Sequence, residues 1–287
     1  MNEVRKIKLH LKSRPTFEGA GVRLKRAFGY ADESLDPFLL LDDFHSDNPN
    51  DYIAGFPWHP HRGIETITYI LHGKVEHGDS LGNGGVIQQG DIQWMTAGSG
   101  IIHQEMPKSD KQDTLLWGFQ LWANLPSSHK MMNPRYRDIK KEQIPEVKLN
   151  NNTVKVKIIS GEINSIKGPV QDIITDPEYL DIEIAPQSEF RHKIRRGHNV
   201  FAYVIEGEGF FDQSYAKLIS KENLVIFDDG DEVLISTNDK SVRFLLISGR
   251  PIREPVAWRG PIVMNTEEEL SLAFREYQNG TFIKHNK

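Results

Sequence analysis

Two short runs carry residue types that hold transition metals. The first is His59-Pro60-His61, and about forty residues later comes His103-Gln104-Glu105. In an extended segment, side chains at i and i+2 point to one face. Each run therefore sets two ligand-type groups on one side of a strand. Between the runs lies Gly90-Asp-Ile-Gln-Trp-Met-Thr-Ala-Gly-Ser-Gly-Ile-Ile. Its pattern predicts a turn, a strand, a Gly-rich turn and a second strand. If the two runs lie side by side, three imidazoles and one carboxylate converge. That set leaves open positions on an octahedral ion, as at non-haem iron sites that bind substrate and dioxygen together. A lone His-x-His in a chain of 11 histidines reads more simply as a polar edge. Two such pairs around one Gly-Asp turn favour a metal.

The neighbouring residues admit more than one reading. Glu65 lies four residues past His61, so it has the same strand parity. Ligand, hydrogen-bond acceptor for a histidine ring and substrate contact all fit it. Arg62 suits either an anionic ligand group or a structural ion pair. His77-Gly78-Asp79-Ser80 suits the rim of a site, but a solvated hairpin end is the plainer reading. Trp58, Trp94, Trp117 and Trp122 read first as core, with a pocket for a flat ligand as the alternative for any one of them. Met95, Met131 and Met132 read as packing. The most basic stretch, Arg191 to His198, reads as a solvated loop, with an anion or a partner protein as the alternative.

The elements that must position these groups are mostly strands. Thr66–Leu71, Val154–Ile159, Phe201–Ile205, Leu224–Phe227 and Val242–Ile247 are β-branched or aromatic and bounded by Gly, Asp or Asn. Many short strands separated by turn signals predict a sandwich or barrel. One helix is predicted near the end. Asn265 and Thr266 precede three glutamates, Leu270, Ala273, Phe274 and Tyr277 recur at helical spacing, and Gly280 stops it. A polar stretch over 126–152 reads as the connection between two lobes. The lobes echo each other: Tyr69-Ile-Leu-His-Gly resembles Tyr203-Val-Ile-Glu-Gly, and Gln89-Gly-Asp resembles Asp229-Gly-Asp. This suggests a duplicated β-barrel. At the two offsets, Lys193, Arg195, Arg243 and Leu245 stand where the ligand pairs would fall, so the second lobe is expected to bind no metal.

Composition narrows the remaining chemistry. The chain has 287 residues, a prior of about two domains. It has no cysteine, which excludes disulfides, thiolate metal sites and cysteine nucleophiles. A net charge of -5 argues against direct nucleic-acid binding and gives no support for a membrane surface. The first residues lack an apolar signal region, and runs such as Phe38–Leu41 are far too short to span a bilayer. A cytoplasmic location is the expectation. There is no GxSxG elbow, phosphate loop, HExxH or dinucleotide fingerprint.

Several longer motifs stand out: Asp36-Pro-Phe-Leu-Leu-Leu-Asp-Asp-Phe44, Phe56-Pro-Trp-His-Pro-His-Arg-Gly-Ile-Glu-Thr-Ile-Thr-Tyr-Ile-Leu71, His77–Asn83, Gly90–Glu105, Gly118–Pro126 and Gly260–Leu270. Together they resemble the pirins, two-domain members of the cupin superfamily. The resemblance runs from about residue 17 to 282. It implies an all-β fold of two tandem, jelly-roll-like cupin barrels with a short C-terminal helix. The implied domains are a metal-binding cupin over 1–126, with a linker to about 152, and a degenerate cupin with the helix over 153–287. The implied ligands are His59, His61, His103 and Glu105, with Glu105 also the acid–base group; this assigns the carboxylate to Glu105 rather than Glu65. The implied metal is Fe(II), with zinc, manganese, nickel and copper also suited to the set. The implied activity is cleavage of quercetin or a related flavonol by dioxygen. Two alternatives stand beside it: an iron-dependent regulator that binds a transcription factor or metabolic enzyme, and a zinc isomerase or hydrolase. Ser99, where many members carry Arg, puts the charge near the pocket mouth in doubt.

Overall fold

The computed structural model describes residues 2–109 and 112–285. They fold into two compact units that are discontinuous in sequence. One comprises Arg14–Ala31, Phe38–Lys141 and the chain from Ile252 onward. The other comprises the chain up to Ser13, Asp32–Pro37 and Glu142–Pro251. The expected boundaries left the first residues with the first lobe and the helix with the second; in the structure the chain ends are exchanged. Two local interactions account for this. The Ile7–Lys12 strand pairs antiparallel with Asn223–Phe227. The C-terminal helix buries Leu270 and Ala273 in a cluster that includes Ile262, Met264 and Phe282 and packs against Ile102.

The unit holding both histidine pairs is a jelly-roll-like pair of antiparallel sheets. The larger has seven strands, in the order Arg135–Ile139, Ile92–Thr96, Ile64–His72, Leu116–Asn124, Phe38–Ser46, Val22–Gly29, Arg14–Glu18. The smaller has four: Phe56–His61, Ile101–Lys108, Lys74–Asp79, Gly84–Gln88. Alternation along these strands splits each between the interior and the outer face. Leu24, Phe44, Ile70 and Leu116 form one interior cluster.

The other unit is built on a ten-stranded sheet. Its long Asn199–Phe210 strand pairs with Val242–Gly249 and Asn223–Phe227, and Val156, Phe190, Val204 and Phe244 sit in its apolar core. The cations expected to replace ligands here are committed to ion pairs in part: Arg243 makes a bidentate pair with Asp181 at 2.7 and 2.9 Å, and Arg195 pairs with Asp176. Arg191 and Arg196 bind Glu232 and Asp231, so the basic stretch is neutralised locally.

The polar segment 126–152 is more ordered than a linker. Arg135–Ile139 closes one edge of the seven-stranded sheet, and Glu146–Leu149 closes one edge of the ten-stranded sheet. Edge strands tolerate charge that inner strands do not, which hides them from a hydrophobicity reading. Among the described residues no helix is long and apolar enough to cross a membrane.

The helix, Glu267–Gln278, starts on a capping box. The Thr266 hydroxyl accepts from the Glu269 amide, and the Glu269 carboxylate accepts from the Thr266 amide. Thr266→Ala should lower stability by about 1 kcal/mol in urea titration; an unchanged midpoint would mean that packing of Leu270 alone sets the helix start.

Candidate metal centre

The register of the small sheet brings the histidines together. His103 is the direct antiparallel partner of His59, and His61 pairs with Ile101 on the same two strands. Opposed residues share a face, and His61 shares it with His59 through the i+2 spacing. The ring centroids of His59 and His103 are 4.4 Å apart, those of His61 and His103 5.0 Å. One ring nitrogen from each of the three lies within 4.8 Å of the others. Ile102, which precedes His103 and pairs with Pro60, points the other way and packs on the helix cluster.

The ring orientations decide what these nitrogens can do. His59 Nδ1 donates to the Pro57 carbonyl at 2.8 Å, and His61 Nδ1 donates to the Pro261 carbonyl at 2.9 Å. Carbonyls only accept, so each Nδ1 carries the proton and each Nε2 presents a lone pair. The two Nε2 atoms face each other at 3.0 Å. His103 Nε2 is buried and has no hydrogen-bond partner. Burial, reinforced by His59, keeps His61 well below the usual imidazole range. Burial, with His61 and His59, does the same for His103. Neutral imidazoles are the metal-binding form. Two nitrogens about 2.1 Å from one cation and at right angles lie about 3.0 Å apart. The residues therefore fit a divalent metal.

Glu105 lines the same cavity on the strand of His103, after a bulge that sets it opposite Phe56. It stands outside the cluster of three nitrogens. Its Oε1 accepts from the Thr68 hydroxyl at 2.8 Å. Burial pushes its carboxyl up, against the pull of His59 and Thr68. Thr68 has one hydroxyl hydrogen and also lies 2.8 Å from Gln120 Oε1, so Glu105 and Gln120 share that single donor.

The cavity beside these residues has a volume of about 700 Å³, within the ordinary range for small-molecule sites. Phe44, Phe56, Leu116, Trp122, Trp258 and Pro261 form apolar walls. Trp122 meets the His61 ring edge to face at 5.0 Å. Of the four tryptophans considered from sequence, Trp122 alone lines the cavity. Trp94 is core, Trp117 stacks on His45, and Trp58 is 53% exposed. Trp258 and Pro261 were not singled out; the Gly260–Leu270 motif was the available signal.

Other readings resolve against a role at the metal. Glu65 is fully buried and accepts from Thr96 Oγ1 at 2.6 Å. Its strand begins afresh after Gly63, whose φ is 78°, so parity with His61 is lost. Thr68 faces the cavity, and Glu65, an odd number of residues away, sits buried on the opposite face of the sheet. Arg62 is a structural cation. It binds Glu276 at 2.7 Å and the Phe282 carbonyl at 2.8 Å, and it lies over the Phe282 ring. His77 is buried rather than solvated, against Tyr136 and Asp138. Ser99 is buried and does not line the cavity. Met95 is core and Met131 is exposed.

The segment from Ile252 onward is held to this site at several points. Lys130 Nζ bridges the Gly63 carbonyl, Asn124 and the Val263 carbonyl at 2.7–3.1 Å. A side chain on Gly63 would meet the Val263 carbonyl at 1.9 Å, so only glycine lets this strap lie flat beside His61. His61→Ala should weaken binding of a divalent ion by more than the roughly 10–100-fold lost with an outer hydrogen-bond partner. Chelator competition measures this, and retained stoichiometric metal at unchanged affinity would remove His61 from the set.

Comparison with known proteins agrees with this architecture. The Pirin family model matches residues 21–123, and the Pirin C-terminal cupin domain matches residues 179–283. The chain is 40% identical over 271 residues to a Pseudomonas aeruginosa protein provisionally named quercetin 2,3-dioxygenase, covering 93% of this chain and 94% of that one. It is 41% identical to human pirin, covering 97% and 94%. The crystal structure of quercetin 2,3-dioxygenase from Acinetobacter baumannii superposes with a TM-score of 0.90 at 30% identity, over 97% of this chain and 98% of that one. The twin barrels, the exchanged chain ends and the histidine cluster beside an apolar cavity are thus features of a chain that belongs to the pirin family of cupin proteins.

Proposed function

We propose that this protein is a metal-dependent dioxygenase that cleaves quercetin or a closely related flavonol. The observation that carries the reading is the histidine cluster itself: three converging imidazoles, with His61 and His103 buried and His59 and His61 lining an apolar cavity of small-molecule size. The names of the Pseudomonas and Acinetobacter relatives support the substrate class. His59, His61 and His103 would hold the ion, with Glu105 completing the set, and Fe(II) suits these donors and this chemistry. An Fe(II) bound there supplies a redox-active Lewis acid with open positions for substrate and dioxygen.

The chain's own groups do the rest. The aromatic and aliphatic walls take up the flat rings and exclude water. Trp122 and the strap residues Trp258 and Pro261 orient the substrate beside the histidines, so that an encounter of two reactants becomes a held pair. Glu105 receives the proton of the flavonol 3-hydroxyl. Its Oε1 is taken by Thr68, so Oε2 is the accepting atom. A carboxyl pushed up by burial is a better base than an ordinary one, and Thr68 holds it in place.

The test is direct. Protein loaded anaerobically with Fe(II) should consume quercetin and dioxygen together when exposed to air, and His103→Ala should abolish both. Wild-type protein that retains iron and binds quercetin yet consumes neither would contradict the dioxygenase assignment.

A further inference from the structure

A row of polar side chains crosses the apolar cavity, and strand register creates it. In the seven-stranded sheet, Asp138, Gln93, Thr68, Gln120, Asp42 and Arg26 are successive cross-strand partners. Paired residues share a face. Four of the six, Thr68, Gln120, Asp42 and Arg26, line the cavity. The flanking rows are apolar: Trp122 pairs with Leu40 on one side, Gly118 with Phe44 on the other. The four lie on adjacent strands. Three interstrand steps of about 4.8 Å make the track roughly 14 Å long, comparable with a three-ring flavonol.

The track is anchored at both ends. Thr68 donates to Glu105 at one end. At the other, Arg26 makes a bidentate pair with Asp42 at 2.7 and 2.8 Å and a further bond to Glu18 at 2.8 Å. These bonds use Nε and Nη2; Nη1 carries none among the described residues. Asp42 is buried, and burial pushes its carboxyl up to about 6 against the pull of Arg26. An ion pair taken out of water contributes little net stability. Its position on a cavity wall points to a ligand instead.

We propose that Gln120, Asp42 and Arg26 read the hydroxyl groups of the substrate's pendant ring, which makes a catechol-bearing flavonol the preferred class. This rests on the dioxygenase reading, since it places the flavonol's other end at the histidines. Each Asp42 oxygen takes one bond from Arg26 and keeps a second lone pair for a phenolic O–H. The Gln120 amide both donates and accepts. Arg26 fixes the Asp42 carboxylate and offers Nη1 to a phenolic oxygen. A site built to bond a hydroxyl discriminates against analogues lacking it, because its own buried polar groups are then left unpaired.

The test uses flavonols with two, one and no hydroxyls on the pendant ring: quercetin, kaempferol and galangin. Their affinities for the Fe(II)-loaded, oxygen-free protein can be read from quenching of tryptophan fluorescence, since Trp122 and Trp258 line the cavity. Wild-type protein should bind quercetin at least about tenfold more tightly than galangin, with kaempferol between. Gln120→Leu should shrink that preference to about twofold or less while leaving galangin affinity unchanged. Asp42→Asn should do the same, and half-buried Gln120, which carries no ion pair, gives the safer variant of the two should loss of the Arg26 pair unfold the barrel. Equal binding of the three flavonols by wild type, or an equal loss for all three in Gln120→Leu, overturns this proposal and leaves the dioxygenase reading intact. Failure of every flavonol to bind overturns both.

Discussion

Two imidazole lone pairs face each other across 3.0 Å, and a third buried imidazole nitrogen beside them has no partner. The rest of the site depends on that arrangement. Backbone carbonyls hold the Nδ1 protons of His59 and His61, so neither ring can turn its proton into the gap without losing a hydrogen bond. Burial disfavours protonating His61 instead. A buried polar atom without a partner costs roughly 1–3 kcal/mol. A cation shared by the three nitrogens removes that cost for all of them at once.

The fold supplies the arrangement from distant parts of the chain. Antiparallel register sets His103 against His59. The glycine turn after Arg62 ends the first strand and lets the strap from Ile252 onward lie beside it. That strap contributes the carbonyl that orients His61, although Pro261 is 200 residues away in sequence. Lys130, Arg62 and the capped helix tie the strap down. The exchanged chain end therefore serves the site: a helix expected with the second lobe backs the strand that carries His103.

Much of this was legible in the residues. The i, i+2 spacing of both pairs and the Gly-rich turn between them implied a convergent set, and the strand and helix patterns match the observed elements closely. What escaped had physical reasons. Parity linked Glu65 to His61 only if the strand ran on, and the positive φ at Gly63 breaks it. Arg62 stays open in the sequence between an anionic ligand group and a structural ion pair, because its partners, Glu276 and Phe282, are distant in the chain. Arg135–Ile139 and Glu146–Leu149 are edge strands, and their charge reads as a linker. The polar track is invisible to any single segment, since each strand contributes one residue and only the pairing register aligns them.

Everything rests on one divalent ion lying among His59, His61 and His103. Crystals of the iron-loaded protein, measured at the iron absorption edge, test this most directly. The expected result is a single anomalous peak bounded by the Nε2 atoms of the three histidines, with the Glu105 carboxylate completing the set. Stoichiometric iron bound anywhere else, with the three nitrogens left facing one another, would contradict the account.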